Sequence, residues 1–232
     1  MIEAVGVVVP VHDEEEHLGP CLVALGDAVR RAGAPVEVVV VLDACTDASA
    51  ARAAEAVATV VTIDERNVGA ARGAGAAAAL AAADPARVWL ATTDADSLVP
   101  PTWLADQLAL AAAGADAVAG VVEVLDWAEH PPEVPERYLH GYAARAGSGH
   151  ARPPATGHRH VHGANLGVRG DAYLAVGGFP PLPTGEDVAL WRALVRDGRA
   201  TVATRALVVT TSARRRARAP DGFAAHLRGL AG

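Results

Sequence analysis

Uninterrupted Val-rich runs alternate with longer Ala-rich segments through the first hundred residues, and no other feature restricts the fold so strongly. A strand with one wet face alternates apolar and polar residues. A strand that is apolar at every position needs cover on both faces, which is the condition of a parallel sheet wrapped by helices. The pattern predicts strands over Val5–Val9, Val36–Leu42, Val60–Ile63 and Val88–Ala91. Between them it predicts helices over Glu14–Arg31, Ala48–Val57 and Gly69–Ala83, the last carried by the helix propensity of Ala.

Beyond Pro100-Pro101 a helix is expected over Thr102–Ala113 and a strand over Ala117–Leu125 leading out of the core. Residues 126–162 then change character, with repeated Pro and His and a Gly-Ser-Gly, and read as a mobile excursion with a helix near 135–146. Structure resumes with Ala164–Arg169 extended, helices over Asp171–Val176 and Asp187–Asp197, and a last strand over Ala206–Thr210. The expectation is one α/β domain over 1–232, with a mostly parallel central sheet and helices on both faces. The domain would fall into two halves, 1–100 and 101–232.

Composition narrows the chemistry. The chain is 51% apolar and 20% charged, enough for a packed core, and its net charge of -7 argues against nucleic acid as a partner. All 20 basic residues are Arg. Without Lys there is no lysine P-loop and no Schiff-base chemistry, so phosphate must be met by Arg, backbone N–H or metal. Cys21 and Cys45 form neither a disulfide framework nor a zinc spacing. Glu3 and Pro10 argue against a signal peptide, and the weakly polar stretch Leu108–Leu125 is interrupted by Asp116 and Glu123. A soluble, cytoplasmic protein is expected.

In open α/β sheets ligands sit beyond the carboxyl ends of the strands. Here those ends read Pro10-Val11-His12-Asp13, Asp43-Ala44-Cys45-Thr46-Asp47, Asp64-Glu65-Arg66-Asn67 and Thr93-Asp94-Ala95-Asp96. Every end is polar and most are acidic. Two carboxylates at i and i+2, Asp94 and Asp96, can share a hard divalent cation (Mg²⁺ or Mn²⁺) and a ribose, and such a cation neutralises a leaving pyrophosphate. Taken alone, Asp-x-Asp is equally a solvated turn.

The ordered set is more specific. Val7-Val8-Val9-Pro10-Val11-His12-Asp13-Glu14-Glu15, then Val39-Val40-Val41-Leu42-Asp43-Ala44-Cys45-Thr46-Asp47, then Asn67-Val68-Gly69-Ala70-Ala71-Arg72, then Asp94-Ala95-Asp96 resembles glycosyltransferase family 2, with the GT-A fold. Gly163-Ala164-Asn165, Val176-Gly177-Gly178-Phe179 and Glu186-Asp187 follow in the family's order, so the resemblance runs from residue 5 to about 197.

The resemblance implies roles. Pro10, Val11 and His12 would form the wall against the nucleobase, with His12 standing where the family often has Tyr; otherwise His12 caps the first helix. Asp13 would cap that helix and Glu14 resembles the family's donor-binding acid. Asp43 would accept a base N–H, although Leu42 replaces the usual preceding Asp; the alternative is a helix cap. Arg72 would hold the diphosphate or the Asp94 carboxylate, unless it forms a surface ion pair. Asp94, Ala95 and Asp96 would carry donor and metal, and Asn165 with Gly163-Ala164 would line the donor-sugar pocket. Asp187 would be the general base of an inverting displacement and Glu186 would orient it or contact the acceptor, unless both merely favour a helix N-terminus.

Two clusters stay open. His158, His160 and His162 share one face of an extended segment and read as a metal site, an acceptor loop or surface polarity. Arg214-Arg215-Arg216 and Arg218 either close over pyrophosphate or form a solvated tail, and the Gln-x-x-Arg-Trp motif of processive family members is missing. The implied function is non-processive transfer of one sugar, of hexosyltransferase type, from a UDP- or GDP-sugar to an unknown acceptor. A sugar nucleotidyltransferase would need a Gly-rich phosphate loop and a Lys after the first strand. A silent nucleotide-sugar-binding protein would have no use for both Asp96 and Asp187.

Overall fold

Val5, Val7, Val9 and Val11 pack into one hydrophobic core and Val8 into a second, on the opposite side of the same strand. That strand, β1 (Ala4–Val11), lies inside the sheet, which is why its apolar run is unbroken. The structure, a computed structural model, describes residues 1–124, 126–138, 140, 160–214 and 229.

β2 (Val36–Asp43) and β4 (Val88–Thr92) flank β1 in parallel, and β3 (Thr59–Ile63) adds in parallel beyond β2. β7 (Leu166–Arg169) runs antiparallel between β4 and β6 (Ala117–Val124). β8 (Thr201–Thr211) lies parallel to β6, and the two-residue β5 (Ser97–Leu98) closes the order β3-β2-β1-β4-β7-β6-β8-β5. Six strands therefore share one direction and β5 and β7 oppose it, the mostly parallel sheet that the apolar runs predict.

Helices cover both faces. α1 (Leu18–Arg31) and α4 (Trp103–Ala112) pack on the side of Val7 and Val9, where Trp89 and Trp103 are fully buried. α3 (Val68–Leu80), α6 (Gly170–Ala175) and α7 (Glu186–Arg196) cover the other face through Ala71, Ala76, Tyr173, Leu190 and Leu194. α3 sits unusually close to the sheet: a Cβ on Gly75 would lie 2.4 Å from Val8 Cγ1. α2 (Ser49–Ala54) is short, and α5 is described over residues 133–138.

Several boundaries move. α1 begins four residues after Glu14, because the Glu14 N–H donates to Ser49 Oγ and the Glu15 N–H to Asp47 Oδ2. Asp13 therefore does not cap α1, and His17, at the N-cap position, makes no side-chain cap bond. β8 starts at Thr201 rather than Ala206, since it pairs with β6 on both sides of a register shift between Ala119 and Val121. β6 itself stays in the sheet interior with residues 117–122 buried. Of the excursion 126–162, residues 126–138 pack onto the end of β8: Trp127 meets His130 and Tyr138 at ring-centroid distances of 5.7 and 5.4 Å, beside buried Ala213. Among the described residues no helix is long and apolar enough to cross a membrane.

The parallel strands β1, β2 and β4 end at one edge of the sheet. The chain winds from β1 out to β2 and β3, then returns to place β4 on the other side of β1. This reversal is a topological switch point between the ends of β1 and β4, where open α/β sheets hold their ligand crevice.

Candidate active site

The loops after β1, β2 and β3 are held by two carboxylates. Asp43 Oδ1 accepts the backbone N–H groups of Glu65 and Arg66, both at 2.8 Å, and Oδ2 that of Asn67 at 2.7 Å. Asp13 Oδ1 accepts the Thr46 N–H at 2.7 Å. Among the described residues, the non-glycines with positive φ are Asp13, Ala44 and Arg66, one after each of these strands. Such backbone is costly and persists where surrounding bonds over-determine it, as these do. Asp43, buried at the end of β2, is thus chiefly the organiser of the β3–α3 loop rather than a helix cap. His12 donates from Nδ1 to the Asp43 carbonyl at 2.6 Å, which fixes its ring beside Pro10 and Val11.

Asn67 caps α3 by accepting the Ala70 N–H at 3.0 Å, and so aims the first turn of the helix at the crevice. One turn on, the buried Arg72 guanidinium donates to Glu186 through Nη1 and to Asp94 through Nη2. It is no surface ion pair. Asp187, next to Glu186 in the first turn of α7, accepts the Gly163 N–H through Oδ2 at 2.7 Å. A Cβ on Gly163 would stand 2.4 Å from the Arg72 guanidinium, so only glycine lets this backbone approach. Burial raises the Glu186 pKa; Arg72 opposes the rise and Asp187 adds to it.

A second arginine completes the site. Arg214 spreads its fork over both carboxylate oxygens of Glu14 and reaches Asp96 Oδ2 through Nη2 at 3.0 Å. Asp96 Oδ1 lies near the hydroxyls of Ser97 and Thr211, at 3.5 and 3.4 Å. Burial pushes the Asp96 pKa up to about 6 against the pull of Arg214, with Asp94 and Glu14 adding to the rise. Thus at least Arg214 of the arginine cluster is not a solvated tail; Arg215, Arg216 and Arg218 lie outside the described residues. Nothing local in the sequence singles out Arg214 from its neighbours, or Thr211 from other strand residues, because both reach Asp96 only through the β5–β8 pairing.

Glu14, Asp94, Asp96, Glu186 and Asp187 are thus gathered around Arg72 and Arg214. Five carboxylates against two guanidiniums leave three negative charges uncompensated when all are ionised. Hard anionic oxygens in net negative surplus fit a divalent cation.

Asn165 departs from its expected place. It has no solvent exposure; Nδ2 donates to the carbonyls of Val121 and Leu207 at 2.9 and 3.1 Å, and Oδ1 accepts Trp103 Nε1–H at 2.9 Å. A side chain with its polar groups spent this way does not line a pocket. It fixes the 3₁₀ turn Gly163–Asn165 from beneath. The rings of His160 and His162 stack at 5.8 Å, and His158 lies outside the described residues. Cys21 and Cys45 are free thiols. Asp13, Cys45 and Asp47 also lie close together, but the two carboxylates accept the N–H groups of Thr46, Glu15 and Ser49.

The sequence model described as Glycosyl transferase family 2 matches residues 6–174. No curated protein matches the chain. Among solved structures, S. aureus TarS in complex with UDP-GlcNAc superposes with a TM-score of 0.66 at 15% identity, over 96% of this chain and 62% of that one. The mannosyltransferase PcManGT from Pyrobaculum calidifontis, in complex with GDP-Man and Mn²⁺, gives 0.69 at 21% identity, over 94% and 59%. Glucosyl-3-phosphoglycerate synthase from Mycobacterium tuberculosis, in complex with Mn²⁺, UDP and phosphoglyceric acid, gives 0.60 at 19% identity, over 98% and 76%. The chain spans about three fifths of the TarS and PcManGT chains. At these identities the likeness is one of fold.

Proposed function

The chain belongs to glycosyl transferase family 2 and has the GT-A fold, and on that premise we propose that it moves one sugar from a UDP- or GDP-sugar to an acceptor hydroxyl, with inversion and without processivity. The observation that carries the reading is the meeting of five carboxylates and two arginines in the crevice between β1 and β4. The structural neighbours were solved with UDP, UDP-GlcNAc or GDP-Man, and two of them with Mn²⁺, which supports a nucleotide-sugar donor and a cation.

Each residue has a physical task in this proposal. Pro10 and the fixed His12 ring form the wall against the base, while Val11 offers only its backbone, its side chain being buried in the core. Asp43 holds the loop at 65–67 beside it and keeps an acceptor position on Oδ2 for a base N–H. Asp94 and Asp96 face ribose and diphosphate as the ligands of Mg²⁺ or Mn²⁺; Ala95 between them turns its side chain into the core and can meet the donor only through its backbone. When bound, the cation would neutralise charge on the leaving diphosphate. Arg72 holds Asp94 and Glu186 in register, and Glu186 sets the start of α7.

Asp187 is the proposed base. Its Oδ2 accepts the Gly163 N–H and its Oδ1 the Val188 N–H, and each oxygen retains an unshared pair for an acceptor hydroxyl. That oxygen would attack the anomeric carbon as its proton passes to Asp187, and the bond to the diphosphate oxygen would break with its electron pair. Asn165 acts only by positioning Gly163-Ala164. The same proposal divides the chain into a nucleotide half, 1–100, and a sugar and acceptor half, 101–232. It places the reaction in the cytoplasm, where Cys21 and Cys45 remain thiols.

Calorimetry of UDP, GDP and their sugars with and without Mn²⁺, on the parent and on Asp96→Asn, tests the reading. Tight, cation-dependent binding lost in Asp96→Asn supports it. Nucleotide affinity unaffected by chelator and by the substitution would remove the cation from the function.

A further inference from the structure

We infer that Arg214 is the protein's own occupant of the cation seat, and that a divalent cation and a diphosphate displace it together. The inference rests on the reading of Asp96 as a cation ligand. Arg214 lies 200 positions from Glu14 in the sequence, yet its fork takes both oxygens of that carboxylate and one of Asp96. The side chains of Arg214, Glu14 and Asp96 are only 16%, 6% and 15% exposed. The backbone holds the guanidinium there. The Ser212 N–H donates to the Asp96 carbonyl at 3.2 Å, and His130 Nε2–H donates to the carbonyl of Ala213, which is buried beneath the 126–138 segment.

A cation bound to Asp96 Oδ2 and the guanidinium now 3.0 Å from that oxygen would be two positive groups on one ligand atom. The cation alone must therefore evict Arg214 and cost the buried Glu14 its bidentate ion pair, which opposes binding. A cation that arrives with a diphosphate brings a new anion for the fork, whose planar donors match phosphate oxygens as well as carboxylate. Cation and diphosphate then help each other bind, and by linkage the help is equal in both directions. In this arrangement Arg214 is a positioning residue: it keeps Glu14 and Asp96 compensated before the donor enters.

The test measures Mn²⁺ binding by electron paramagnetic resonance, with and without UDP or GDP. The parent, Arg214→Gln and the double variant Glu14→Gln/Arg214→Gln are compared, after melting curves show which are folded. The double variant guards against misfolding around a buried Glu14 that has lost its bidentate ion pair. In the parent, Mn²⁺ should bind at least about tenfold more tightly with the better nucleotide than alone. In both variants Mn²⁺ alone should bind about tenfold more tightly than to the parent, and the gain from nucleotide should shrink by about as much. If Mn²⁺ alone binds the variants no more tightly, or the gain from nucleotide is unchanged, Arg214 does not hold the seat. If Asp96→Asn, measured alongside, binds Mn²⁺ with nucleotide as tightly as the parent does, the cation assignment itself fails and the inference with it.

Discussion

Arg72 and Glu186, separated by 114 positions, form an ion pair in which both side chains are only 4% exposed. The pair joins the start of α7 to α3, and the same guanidinium holds Asp94 at the end of β4. The site is thus assembled by one buried cation shared between acids from two halves of the chain.

Removing that cation should unfold the arrangement rather than merely weaken it. Arg72→Met leaves Glu186 buried without its counter-charge, which costs about 3–5 kcal/mol. Urea denaturation should show a loss of that size, and Arg72→Lys should recover only part of it, because one ammonium cannot span both acids. A change below about 1 kcal/mol would mean that the pair is not held as described.

Asp187→Asn separates chemistry from architecture. The amide oxygen can keep the Gly163 N–H while the amide nitrogen replaces the oxygen that accepts the Val188 N–H, so stability should fall by only about 1–2 kcal/mol and the affinity for nucleotide with Mn²⁺ should stay near the parent's. Sugar transfer, or donor hydrolysis in its place, should fall by about a hundredfold or more. An unaltered rate would take Asp187 out of the mechanism.

Asn165→Ala tests burial against pocket lining. The substitution strands the Trp103 indole N–H and leaves the Val121 and Leu207 carbonyls short of a donor. A loss of about 2–4 kcal/mol in stability is expected, with donor affinity in the folded fraction nearly unchanged. Weakened donor binding at full stability would restore Asn165 to the sugar pocket.

Asp96 makes cation binding and stability move in opposite senses with pH. Its folded pKa of about 6 stands above the ordinary 3.8, so the folded chain takes up a proton first as pH falls. Its contribution to stability is therefore full below about 3.8 and is lost as pH rises through about 6. Because the buried Glu186 has a raised pKa in both proteins, the parent should lose more stability across this window than Asp96→Asn, the difference reporting Asp96. Mn²⁺ affinity in the presence of nucleotide should instead rise with pH, by up to about tenfold per unit, and level off above about 6. A flat profile through that range would contradict the burial of Asp96.

The sheet was legible from local pattern. A strand covered on both faces must be apolar throughout, so Val5–Val9 and Val38–Leu42 declare parallel neighbours without any knowledge of the partners. Acids that follow such runs, among them Asp43, Asp94 and Asp96, fall at one edge because parallel strands all end there. Asn67 before Val68-Gly69 marks its own helix start for the same local reason. Tertiary structure decided which carboxylate meets which guanidinium. Asp43 spends its oxygens on the loop at 65–67, Asn165 turns into the core, and Arg214 rather than a neighbouring arginine reaches Glu14 and Asp96. Hydrophobic period tells which face of an element is buried and nothing of what lies opposite. A polar side chain's role is set by the one partner within hydrogen-bond reach, and for these residues that partner stands 22 to 200 positions away.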